Sequence, residues 1–121
     1  MANGKFLVNL THAQDDADRA TVALVVANAA AASGQETVVF LSTEGVRLAT
    51  PGYADAIHEE GFQPMKDLLA NFSEAGGQIW VCSPCFKKRG LDAAALVPGA
   101  TIVGGAKVVE FLTTGGSSLS Y

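Results

Sequence analysis

The first 41 residues constrain the fold more than any other part of the chain. A short apolar run, Lys5-Phe-Leu-Val-Asn-Leu10, gives way to a polar loop and then to an alanine-rich stretch closed by Gly34. A β-branched run, Glu36-Thr-Val-Val-Phe-Leu41, follows. Strand, helix and strand within about 37 residues make a βαβ unit. Both strand runs are almost continuously apolar, the pattern of parallel strands covered on both faces. The helix is expected from about Asp16 to Ser33. Asp15, Asp16 and Asp18 crowd its start, where carboxylates complement the helix dipole. It is apolar nearly all round, through Val22, Leu24, Val25, Val26 and Ala29 to Ala32, which predicts a helix sandwiched between layers or between subunits.

The remainder repeats the alternation. Residues Ser42 to Pro64 are irregular, with Gly45, Pro51, Gly52 and Gly61 and one helical turn near Val46 to Ala49. A connection of this length suggests a functional lid or binding loop. Pro64 to Ala75 has helical spacing in Met65, Leu68, Leu69 and Phe72, and Gly76-Gly77 ends it. Gln78 to Cys82 is a third strand, Pro84 to Arg89 a short helix closed by Gly90, and Leu91 to Leu96 a further turn. Ala100 to Val103 is a fourth strand, Gly104-Gly105 opens a helix through Thr113, and Ser117 to Tyr121 is a short fifth strand. One domain over residues 1–121 is expected, an α/β fold with a mainly parallel sheet of about five strands.

Composition narrows the function classes. The 121 residues carry 8 Lys plus Arg against 12 Asp plus Glu, a net charge of -4, which argues against a nucleic-acid binder. The longest apolar stretch, Val22 to Ala32, is far short of the ~20 residues of a membrane span. No leader-like run precedes Lys5, so a cytoplasmic location is expected. Hydrophobic residues make up 49% and charged residues 17%, below the roughly 25% usual for soluble domains. That surplus of apolar surface suggests a homo-oligomer.

Ligands of open parallel sheets bind beyond the carboxyl ends of the strands. That edge collects Thr11, His12, Asp15 and Asp16 after the first strand, and Ser42, Thr43 and Glu44 after the second. Cys82 and Cys85 follow the third strand, and Gly104 and Gly105 the fourth. Cys82 ends a strand and precedes a helix opened by Pro84, so the dipole is expected to favour its thiolate. Lys87, Lys88 and Arg89 follow within two turns. They either lower the thiol pKa and hold an anionic partner, or merely complement the helix end. Cys82-x-x-Cys85 admits three readings: a dithiol redox pair, half of a zinc site, or one working cysteine with a bystander. Zinc is the weakest of these, because only His12 and His58 complete a donor set, and no metal is expected. His12 reads as a general base or hydrogen-bond partner for a thiol, or as a loop residue satisfying backbone groups. Asp16 and Arg19 read as a helix cap and a surface pair. Gly104-Gly105 resembles an anion-binding turn. No Walker motif, G-x-S-x-G elbow or catalytic carboxylate pair is present, and no cofactor is expected.

These residues together resemble the DsrE/DsrF-like family of small α/β proteins, which includes TusD-like sulfur-relay proteins. The resemblance covers nearly the whole chain. It rests on the loop Thr11-His12-x-x-Asp15 before an alanine-rich helix, on Val39-Phe-Leu-Ser-Thr-Glu-Gly45-Val46, and on Val81-Cys82 with Arg89-Gly90. It implies a three-layer α/β/α sandwich and a homotrimer or homohexamer. It also implies a persulfide-carrying cysteine at Cys82, with donor and acceptor proteins or small sulfane-sulfur compounds as partners. Cys85 departs from the relay pattern, and some relatives are labelled peroxiredoxins. Three functions therefore stand: sulfur carrier or sulfurtransferase, Cys82/Cys85 dithiol oxidoreductase or thiol sensor, and non-catalytic binding subunit. Thr11, Asp15, Glu44, Lys87, Arg89, Gly104 and Gly105 are the candidate substrate- or partner-binding residues, beside Cys82, Cys85 and His12.

Overall fold

The computed structural model describes residues 4–121; residues 1–3, part of the stretch without a leader-like run, lie outside the described residues. Five strands appear: β1 (Lys5–Leu10), β2 (Glu36–Leu41), β3 (Gln78–Cys82), β4 (Ala100–Val103) and β5 (Gly116–Ser120). The helices are α1 (Ala17–Ala32), α2 (Met65–Glu74), α3 (Ser83–Lys88) and α4 (Gly105–Thr113). The strands form one sheet in the order β4-β3-β2-β1-β5, and every pairing is parallel.

Handedness explains which helix covers which face. Parallel crossovers are almost always right-handed. Stepping from β1 through β2 and β3 to β4 in one direction keeps the intervening helices on a single face. The return from β4 to β5, beyond β1, reverses direction and sends α4 to the other face. The buried side chains divide accordingly. Val8, Leu10, Val39, Leu41, Ile79 and Val81 pack with α1 and α2, whereas Leu7, Val38, Trp80 and Val103 meet Phe111 of α4. Trp80 and Phe111 meet edge to face, with centroids 5.4 Å apart. The sandwich is therefore three-layered, with its larger core under α1 and α2.

Two details sharpen the sequence expectation. Within a single chain helix α1 is covered along one face, through Ala20, Thr21, Ala23, Leu24 and Ala27, while Val25 is exposed. Alanine makes the helix look apolar all round without giving it much apolar surface to hide. The stretch after β2 is a structural cover in place of a lid. It forms two 3₁₀ segments, Thr43–Ala49 and Tyr53–Ala56, and buries Gly45, Val46, Leu48, Ala49, Ala54 and Ile57. The turn expected between Leu91 and Leu96 is closed by the Ala95 N–H donating to the Asp92 carbonyl at 3.1 Å. Among the described residues, no helix is long and apolar enough to cross a membrane.

Candidate functional site

The carboxyl edge of the sheet is laced together sideways. Thr11 donates to the Tyr121 carbonyl through its N–H at 3.0 Å and its Oγ1 at 2.9 Å. Thr43 Oγ1 donates to the Thr11 carbonyl at 2.6 Å, and the Ser42 N–H donates to the Leu10 carbonyl at 3.1 Å. Thr43 has φ of 48°. The left-handed region is costly for a β-branched residue and persists only where its surroundings over-determine it. Its hydroxyl bond to the neighbouring loop is one such constraint.

The next residue, Glu44, receives two arginines. Arg47 Nε donates to one carboxylate oxygen at 2.8 Å and Arg89 Nε to the other at 2.7 Å. Those guanidinium groups, Arg89 first, hold the Glu44 carboxyl below its ordinary 4.5. Arg89 also donates to the Cys85 carbonyl at 3.1 Å, and its side chain is only 15% exposed. A residue read as bait for an anionic partner is thus engaged inside the protein, tying the loop after β2 to the cysteine helix. Two positive charges against one negative leave this cluster net positive. Lys87 and Lys88 remain exposed in the last turn of α3.

Cys82 ends β3, and its backbone takes the cap position of α3, with Pro84 in the first turn. Both Cys82 and Cys85 are half-buried and free. The Cys82 side chain closes no capping hydrogen bond. Burial pushes the Cys82 thiol above its ordinary 9.0. The Cys85 N–H and the Arg89 charge act downward, while the Cys85 thiol acts upward. The expectation of a dipole-favoured thiolate is therefore corrected. Helix α3 has only six residues, and desolvation of the thiol outweighs the Cys85 N–H at its start.

The other candidates fall on the same edge at different distances. Cys82 pairs in register with Val103, so Gly104 follows directly on the neighbouring strand. Gly104 and Gly105 are exposed at the start of α4, and a Cβ on either meets nothing within 4 Å. His12 lies past the end of β1, and β2 separates β1 from β3. Two strand spacings, roughly 10 Å, divide those strands. Among the described residues the side-chain partner of His12 is Asp15, whose Oδ2 lies 2.8 Å from Nδ1. Burial acts to raise the Asp15 carboxyl, but the Ala13 N–H and His12 outweigh it and hold it below 3.8. Asp16 caps α1 by accepting from the Arg19 N–H at 3.1 Å and pairs with its guanidinium at 3.2 Å. His58 Nε2 lies 2.8 Å from the Phe62 carbonyl, in the loop before α2. Among the described residues, no three His, Cys, Asp or Glu side chains converge as metal ligands would.

Two hollows are present among the described residues. A largely apolar cavity of about 420 Å³ lies between α2, the 3₁₀ cover and the Leu96–Pro98 turn, reaching Ile79 at the opposite end of β3 from Cys82. A shallower one of about 290 Å³ lies under α4, lined by Asn9, Phe40, Ser42, Leu112 and Ser120. Sequence reasoning gathered the edge residues but missed the Glu44–Arg89 bond. Its partners are 45 residues apart, and no local pattern reports it.

Comparison with known proteins places this arrangement. The pattern described as the DsrE/DsrF-like family matches residues 4–121. An uncharacterized protein of Methanocaldococcus jannaschii, MJ0989, is 34% identical over 81% of this chain and 82% of its own length. A second uncharacterized protein of that organism, MJ0760, is 26% identical over 89% of this chain, which spans only 39% of that longer protein. Among solved structures, the ychN protein from E. coli superposes with a TM-score of 0.73 at 12% identity, covering 99% of this chain and 100% of its own.

Proposed function

The chain belongs to the DsrE/DsrF-like family, and from that premise we propose that Cys82 is a sulfur-carrying thiol. The family is generally tied to sulfur relay, and the observation that carries the assignment is the setting of Cys82. It is free and half-buried at the carboxyl end of β3, with Cys85 beside it and Arg89 tethered to the next turn.

The chemistry needs one nucleophile. Cys82 sulfur, once deprotonated, attacks the outer sulfur of a donor persulfide R–S–SH. The donor S–S bond breaks, R–S⁻ leaves with the proton Cys82 gave up, and Cys82–S–SH remains. Because burial favours the protonated thiol, loading needs a base or the donor's own leaving group to accept that proton. Arg89 supplies fixed positive charge nearby, and the exposed Lys87 and Lys88 suit an acidic donor or acceptor surface. In this reading His12 and Asp15 contact the incoming partner from across β2. The sulfur comes from donor proteins or small sulfane-sulfur compounds, and the protein works as a homotrimer or homohexamer, for which exposed Val25, Val109 and Leu119 offer apolar surface.

The test is an intact mass after exposure to glutathione persulfide. Wild type gains one sulfur atom and Cys82→Ser does not. An equal gain by Cys82→Ser removes the assignment.

A further inference from the structure

We infer that Cys85 is a resolving thiol, which attacks the Cys82 persulfide, frees its outer sulfur as sulfide and closes a Cys82–Cys85 disulfide. This rests on the reading of Cys82 above. It adds an activity that a simple carrier lacks: reductive discharge of sulfane sulfur.

The step balances without an outside oxidant. Cys85 sulfur bonds to the Cys82 sulfur, and the persulfide S–S bond breaks. The outer sulfur leaves as HS⁻, which takes up the Cys85 proton at neutral pH. The two thiols are oxidised to a disulfide as the sulfane sulfur is reduced to sulfide. A dithiol reductant then restores both thiols.

Placement favours this over transfer to a bulky acceptor. Cys82 and Cys85 are the only cysteines in the chain. Cys82 takes the cap position of α3 and Cys85 lies three residues on, in its first turn, so the two side chains leave the same end of the helix. Both cysteines are free and half-buried. A neighbouring nucleophile also avoids the entropy cost of a second encounter. Residues three apart on a helix hold their Cβ atoms ~5–6 Å apart. A disulfide needs about 3.5–4.5 Å. Cys82 is the cap residue, outside the helix proper and extended in backbone (φ -64°, ψ 116°), so helical spacing does not fix its distance from Cys85, and its side chain has no capping bond to give up. Arg89, bonded to the Cys85 carbonyl and to Glu44, holds the rest of the turn while this happens.

The experiment uses the reduced full chain, one equivalent of glutathione persulfide, timed alkylation quenches, intact mass, and a sulfide trap in the same vessel. In wild type the added sulfur appears and then disappears as two hydrogens are lost, with one sulfide released per disulfide formed. Cys85→Ser keeps the added sulfur and releases no sulfide, and Cys85→Ala does the same. Wild type that holds its sulfur with both thiols still reducible overturns the inference and leaves the carrier reading standing. A glutathione mixed disulfide on Cys82 in Cys85→Ser also overturns it, because the disulfide then forms by another route. Cys85→Ser that never gains sulfur, with wild type that forms neither disulfide nor sulfide, refutes both.

Discussion

Replacing Gly45 with alanine tests whether the carboxyl edge is a rigid assembly. Gly45 is buried in the 3₁₀ cover and does not occupy the left-handed region, so what alanine would lack is space. A Cβ there is driven into the Leu10 carbonyl oxygen and lies 3.1 Å from the Leu10 carbonyl carbon. Carbon ordinarily meets a carbonyl oxygen at ~3.3 Å or more. Because the obstacle is backbone, no side-chain rotation relieves the overlap. Either the end of β1 or the cover retreats, and the Ser42 N–H bond to the same Leu10 oxygen, 3.1 Å, is strained or lost. Overpacking costs ~1–3 kcal/mol, and a lost hydrogen bond adds ~0.5–1.5 kcal/mol. A domain of 121 residues has roughly 6–18 kcal/mol in total. The expected loss is about 2–4 kcal/mol, a fall in melting temperature on the order of 6–20 °C at this chain length. Urea and thermal denaturation measure it. Gly104→Ala is the control, since its Cβ meets nothing within 4 Å, and it should cost less than about 1 kcal/mol. Gly45→Ala within ~0.5 kcal/mol of wild type would refute the reasoning. The loop would then be free to shift, and Glu44 would not be fixed from below.

Two further outcomes follow from the charges at this edge. Cys82 alkylation by iodoacetamide, followed by peptide mass mapping, should rise with pH to an inflection above 9.0, and Arg89→Leu should move it higher because the arginine acts downward. A raised thiol pKa means the folded chain keeps its proton longer, so stability falls as pH climbs through the unfolded and then the folded value; an inflection below 9.0 contradicts this. Glu44→Gln should cost at most about 1 kcal/mol at neutral pH, given a carboxylate 36% exposed. The lowered Glu44 pKa makes that stability complete above 4.5 and lost as pH falls through the folded value, so mutant and wild type should converge in acid. A gap that widens on acidification would show that the arginines do not act on Glu44.

The first four strands were legible because each is a short, largely apolar run between glycine or polar breaks, and Gln78–Cys82 and Ala100–Val103 end where the sequence places them. The cysteines were legible for the same reason, as the first polarizable groups after a buried strand. Less was readable after Leu41. A 3₁₀ segment has no amphipathic period, and Gly45 looks like any loop glycine until Leu10 is found against it. Arg89 reads as free charge because Glu44 is remote in sequence. The direction of the Cys82 shift was misjudged because a helix start is visible in sequence and desolvation is not.

The bonds from Thr11 to Tyr121 have a consequence for the order in which the molecule assembles. They join residues 110 apart, and β1 also pairs with β5 along its length. Loops that long are slow to close, whereas the βαβ unit of β1, α1 and β2 is local and forms early. The His12 loop therefore waits for β5 to dock. A chain with β1 to β4 in place already holds its cysteine turn between β2 and β4, but the far side of that edge is still open. The cysteine turn and the His12 loop thus mature at different moments of folding.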